Sequence, residues 1–139
     1  MNHKRLKARE LAESDKLKAP DSAAVPTLDY PVFCFKHLQS GHNVGDCSQQ
    51  DKIDLIERLS KLSTLTWDQI RLAPRHGFGT EKIALNSIHP TVPTFISEDV
   101  DHLLAFRFSG LKPFLGLRRG PVFHIIFIDH GFDVYNHGG

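Results

Sequence analysis

Near the C-terminal end of the chain, Asp133, Tyr135 and His137 alternate with Phe132, Val134 and Asn136. Alternate side chains of a strand share a face. A phenol and an imidazole so placed could take and deliver protons, although polar alternation also describes a solvated terminal strand. Arg107 sits in "AFRFSG" between two phenylalanines. If Phe106 and Phe108 face the core, Arg107 projects from the opposite side of the sheet. Arg118 and Arg119 are adjacent, so at most one of them joins Arg107 on a given side. Two arginines on one sheet face would grip a phosphate bidentately; scattered, they are surface charges in weak ion pairs. "PRHGFGTEKI" places Arg75, His76, Glu81 and Lys82 around Gly77 and Gly79. It reads as a phosphate-binding or substrate loop, with Arg75, His76, Lys82 and Arg119 as substrate-binding candidates, or as a connector punctuated by glycine.

A metal pattern competes for attention. Cys34, His37, His42 and Cys47 are spaced C-x2-H-x4-H-x4-C, the spacing of a zinc knuckle with its second Cys replaced by His. Two thiols and two imidazoles make a legitimate tetrahedral set, and a knuckle would imply an RNA-binding protein. Yet Cys34 and His37 point to opposite faces of an extended chain, and the segment runs straight into a helix signal at Ser48. It reads first as a strand and a connecting loop. The site is therefore assigned no metal, and no cofactor is expected. His124, inside "VFHIIFI", reads as a core histidine with one satisfied hydrogen bond. Gly-x-Ser-x-Gly, Walker and His-Glu-x-x-His patterns are missing from the sequence, which removes the common hydrolase and nucleotide-binding templates.

Charge limits the partners. The 139 residues sum to +1, but residues 1–20 hold six basic and three acidic groups, whereas residues 21–100 hold seven basic and ten acidic ones. Any nucleic-acid contact must use a local patch. The first 20 residues lack an apolar centre, no apolar run approaches the ~20 residues of a membrane helix, and two cysteines do not make a disulfide scaffold. The expectation is a cytoplasmic protein without membrane contact: a polar, basic arm over 1–28 and one domain over 29–139.

The elements that must position these groups follow from local signals. "YPVFCFKHL" suggests a short strand. Ser48 is an N-cap candidate for a helix whose stripe is Ile53, Ile56, Leu59 and Leu62, widened by Leu55. Thr66 and Gln69 form a capping-box pair for a second, short helix, stapled by Leu65 and Ile70, anchored by Trp67 and ended by Pro74. Residues 102–110, 112–120, 121–129 and 132–138 read as a four-strand meander, with "VFHIIFI" central and covered on both faces. The fold class is α+β: two N-terminal helices packed on a curved, mainly antiparallel sheet of about four strands.

That order, with "KPFLGLRRGPVFHIIFIDHGFDVYNHGG" at its end, resembles the RelE/ParE superfamily of bacterial toxins over about residues 48–139. There an Arg-bearing strand turns into an apolar strand that ends in an acidic turn, followed by a short segment with His or Tyr. The resemblance implies the toxin of a toxin–antitoxin module, a metal-independent mRNA endoribonuclease often acting on the ribosome. Its partners would be RNA and a cognate antitoxin, with a homo-oligomer left open. Arg107, Arg118, Tyr135 and His137 would be the catalytic residues: Arg stabilises the phosphorane, and His or Tyr moves the protons. The near-neutral charge keeps a non-catalytic inhibitor of a protein target on the same scaffold in play.

Overall fold

The computed structural model describes residues 28–137; the basic arm expected over 1–28 lies outside them, Leu28 excepted. Ser48 is extended, and its hydroxyl accepts from the Asp51 amide at 3.1 Å, which starts α1 (Gln49–Leu62). Leu55, Leu59 and Leu62, spaced i, i+4, i+7, are the buried face of α1, together with Asp51. Asp51 is neutralised there by Lys112 at 2.9 Å. The stripe through Ile53 and Ile56 is corrected: a three-residue step falls about 60° short of a helical turn, and these two side chains are 48% and 60% exposed. Thr66 caps α2 (Trp67–Leu72) reciprocally, accepting from the Gln69 amide at 3.1 Å while Gln69 Oε1 accepts from the Thr66 amide at 2.9 Å. Ala73, before Pro74, ends α2.

Five strands form one sheet: β1 (Val32–Cys34), β2 (Glu81–Ala84), β3 (His102–Ser109), β4 (Lys112–Arg119) and β5 (Val122–Ile128), in the order β1-β5-β4-β3-β2. β1 runs parallel to β5, and the other pairs are antiparallel. The helices therefore lie between β1 and β2 in the chain rather than at its start. They pack on one face of the sheet, where Leu55, Leu59, Leu62, Trp67 and Ile70 meet Phe106, Phe108, Phe114, Phe123, Ile125 and Ile128. Trp67 anchors this layer, its indole N–H donating to the Pro121 carbonyl at 3.0 Å. The opposite face buries Leu103, Ala105, Leu115, Ile126 and Phe127 under Ile88 from the β2–β3 connection and under Val134 and Tyr135.

Two strand expectations change. "EKIA" pairs with β3, a strand hidden in sequence by its four-residue length and single buried residue. The described part of the segment expected as the last strand, residues 132–137, forms no strand. Phe132 turns the chain with φ 56°, the Asp129 carboxylate accepts from the Asp133 amide at 2.8 Å, and the Val134 carbonyl accepts from the His89 amide at 2.7 Å. Side-chain and loop bonds thus satisfy backbone groups that a strand ladder would have used. β5 is covered on both faces but lies beside β4, which is the middle strand.

Candidate active site

Arg107 lies on the sheet face opposite the helices, as its place between Phe106 and Phe108 requires. It is only 9% exposed, so its charge needs partners. Its Nη2 donates to Glu81 Oε1 at 2.6 Å, and its Nη1 donates to the Tyr135 hydroxyl at 2.9 Å. Its Nε is buried without a partner. Glu81 reaches Arg107 because residue 81 stands two positions before the buried Ile83 and shares its face. The other carboxylate oxygen of Glu81 accepts from Arg75 Nη1 at 3.3 Å, so one carboxylate is shared by two guanidinium groups. Arg75 Nε lies 3.3 Å from His76 Nε2. Gly79 packs the loop tightly here: a Cβ at that position would fall 2.2 Å from the Ala73 carbonyl oxygen.

On the far wall, Asp129 is fully buried at the end of β5 and pairs with His137 Nε2 at 2.8 Å. The carboxylate fixes the imidazole by one nitrogen. The His137 ring lies against Tyr135 at 4.0 Å between centroids, tilted by 34°, and stands nearly perpendicular to Phe132 at 5.0 Å. Burial pushes the Tyr135 phenol above its usual range, with Arg107 offsetting part of the rise. Tyr135 therefore keeps its proton near neutrality, and its hydroxyl oxygen accepts from Arg107. Arg75, His76, Glu81, Arg107, Leu111, Phe132, Tyr135, Asn136 and His137 line one cleft of about 200 Å³. A wider, shallow depression beside β2 carries the His102–Asp101 pair at 2.6 Å but gathers no converging arginines.

Five residues singled out in sequence, Arg75, His76, Arg107, Tyr135 and His137, thus meet in this cleft. The other three do not. Arg118 lies on the helix side, its guanidinium 4.2 Å above the Trp67 ring and its Nε donating to the Gly120 carbonyl. Arg119 stands at the far end of β4, six residues or about 20 Å along the strand from Pro113, the partner of Arg107. Lys82 alternates away from Glu81 and borders the shallow depression. Asp133 leaves the trio proposed with Tyr135 and His137, because its carboxylate pairs with His42 at 3.0 Å. Glu81 and Asp129 were not among the site residues selected from sequence. Neither carries a clear signal: the period-two relation of Glu81 to Ile83 lies in a strand too short to read, and a carboxylate after an apolar strand ordinarily marks a solvated turn.

The four knuckle residues disperse. Cys34 is on β1, Cys47 is buried in the helix-side core, His37 packs on Phe95 at 4.5 Å, and His42 holds Asp133. Among the described residues, no group of three or more His, Cys, Asp or Glu side chains converges to hold a metal ion. His124 is half-buried with Nδ1 unpartnered, which corrects the expected hydrogen bond. Its burial, reinforced by His37, Arg119 and Lys36, lowers its pKa and keeps it neutral.

The His42 hydrogen bond is the main reason the Asp133 carboxyl lies below the usual carboxylate range. A depressed folded-state pKa stabilises the fold above the unfolded value, and the effect is lost as pH falls through the lowered one. In His42→Ala the Asp133 carboxyl should titrate at a higher pH than in the wild type by carbon-detected NMR. An unchanged midpoint would remove His42 as the cause.

Comparison of the chain with protein-family models, with curated proteins and with solved structures gives no match.

Proposed function

We propose that this cleft cuts RNA by attack of a ribose 2′-hydroxyl on the adjacent phosphodiester, and that the chain is a RelE-like toxin of a bacterial toxin–antitoxin module. The observation that carries the reading is the Glu81 carboxylate held between Arg75 and Arg107. Two guanidinium groups converge there on one oxyanion, in a cleft whose other wall presents a phenol and an Asp-oriented imidazole. The order of elements supports the family reading: a helix pair, then the β3–β4–β5 meander, with Arg107 on β3 and Tyr135 and His137 beyond β5.

A phosphodiester entering the cleft takes over the arginines and releases Glu81. The freed carboxylate, or His76, accepts the 2′-hydroxyl proton. The O2′–P bond forms, and Arg107 and Arg75 stabilise the added charge on the phosphorane. The P–O5′ bond breaks, and the 5′-oxygen takes a proton from protonated His137 or from the Tyr135 phenol. The products are a 2′,3′-cyclic phosphate and a 5′-hydroxyl. Neither water nor a redox partner is consumed.

The test is incubation of the full chain with single-stranded RNA and with translating ribosomes, reading the new ends by mass spectrometry. Cyclic phosphate and 5′-hydroxyl ends are expected, with Glu81→Gln slower by about 10²- to 10⁴-fold if the carboxylate is the base. Intact RNA under both conditions would sink the reading.

A non-catalytic inhibitor of a protein target remains the second reading, favoured by the exposed Ile53 and Ile56 on α1. It requires growth arrest that survives Arg107→Ala and is lost in Ile53→Ser/Ile56→Ser.

A further inference from the structure

Phe132 is the one described non-glycine residue with positive φ, at 56°. The left-handed region is disfavoured for a bulky side chain, because Cβ crowds the following carbonyl oxygen. Glycine or asparagine would occupy the position more easily. The ring is not a core residue either, since Phe132 stays 42% exposed. An awkward backbone that displays an apolar ring instead of burying it suggests a task for the ring.

The surroundings indicate which task. Phe132 lines the cleft with Arg107 and Arg75, and its ring stands nearly perpendicular to that of His137, 5.0 Å between centroids. Leu111 also lines the cleft and is 62% exposed. Its carbonyl lies 3.4 Å from Arg107 Nη1, which fixes Leu111 beside the phosphate-binding group. Two exposed apolar side chains thus border a charged site, one of them aromatic. A flat, apolar-faced ring covalently joined to a phosphate matches that combination, which is the chemistry of a nucleotide.

We propose that Phe132 and Leu111 form a nucleobase subsite, in which a base next to the scissile phosphate stacks on the Phe132 ring while the two arginines hold the phosphate. The proposal rests on the RNA-cleavage reading and deepens it. Stacking tolerates any base, so the subsite selects unpaired RNA over duplex rather than one sequence. A paired base cannot leave its helix for the ring without unstacking.

The test uses a dinucleotide made uncleavable by a 2′-O-methyl group at the attacking position, and two versions that each lack one base. For the wild-type chain, removing one of the two bases should weaken binding about 5- to 30-fold, the equivalent of ~1–2 kcal/mol of stacking. Phe132→Asn keeps a residue that accepts the left-handed backbone and removes the ring. It should bind the intact dinucleotide weaker by the same factor, become indifferent to the missing base, and raise KM for RNA more than it lowers kcat. Phe132→Trp should bind as well as the wild type. Wild-type binding insensitive to either base overturns the subsite, and so does Phe132→Asn binding within twofold of the wild type. A fall in kcat with unchanged dinucleotide affinity also overturns it, making the ring a support for His137 instead. Cleavage of RNA with no base dependence rejects the subsite alone, whereas failure to cut any RNA rejects the underlying reading.

Discussion

Replacing Arg107 by alanine is expected to reduce RNA cleavage about 10²- to 10³-fold, the usual loss when a preorganised donor to a developing oxyanion is removed. The magnitude follows from the site. Arg107 is held within the sheet face, with Glu81 at 2.6 Å and Tyr135 at 2.9 Å, and no rearrangement is needed for its fork to meet a phosphate once Glu81 gives way. Arg75 is far more exposed, with 57% of its side chain open to solvent, and contributes a weaker, screened attraction. Alanine also leaves the Tyr135 phenol without its donor and Glu81 with Arg75 alone, a stability loss of about 1–3 kcal/mol. Activity must therefore be read well below the unfolding transition, with the amide NMR spectrum as a check on folding. Arg107→Lys separates charge from geometry: it keeps a cation but loses the fork, so it should restore the fold more fully than the rate. Cleavage by Arg107→Ala within threefold of the wild type would show that the arginine is structural.

The parts of the site legible in sequence were those set by a short-range period. Arg107 between two phenylalanines needed only strand alternation to place it on the face away from the core. The same parity sends Arg118 to the helix side, where it covers Trp67, and so separates it from Arg107. Tyr135 and His137 meet in the cleft for a reason other than the one anticipated. They are not strand neighbours; an irregular segment is pinned by Asp129, just before it, and by His42 and His89 from distant parts of the chain. Such a segment has no period to read, because side-chain acceptors replace the ladder. Asp129 was hidden because a carboxylate after an apolar strand ordinarily marks a solvated turn. Here its burial is compensated by the Asp133 amide and by His137, eight residues on. In α1 the error lay in the stripe: a three-residue repeat looks apolar in sequence, yet only the 55, 59, 62 set keeps pace with the helix.

Gly116→Ala should be the most damaging single methyl in the domain. A Cβ at residue 116 would stand 2.0 Å from the His124 carbonyl oxygen and 2.8 Å from the Phe123 ring. The near atom is backbone of the neighbouring strand, so no rotamer change relieves the clash. The reason lies in the β4–β5 register, which slips between Leu115 and Gly116: Leu115 pairs with Phe127 and Gly116 with Ile125, leaving Ile126 as the extra residue. That bulge puts Ile126 and Phe127 on the same face, the one they share with Tyr135, and returns Ile125 and Ile128 to the helix side. It also sets the level at which β5 ends, and hence where Asp129 meets His137. Alanine must push β4 and β5 apart or undo the bulge, and undoing it turns buried side chains to the wrong face. The expected loss is at least ~3 kcal/mol, the upper end of what overpacking a tight core costs, measured as a lower urea midpoint at unchanged slope. Since the bulge positions Asp129, whatever folded Gly116→Ala protein remains should also lose the ordered His137 ring signals. A variant as stable as the wild type, with His137 still held, would mean that the strands separate easily and that the cleft does not depend on the bulge.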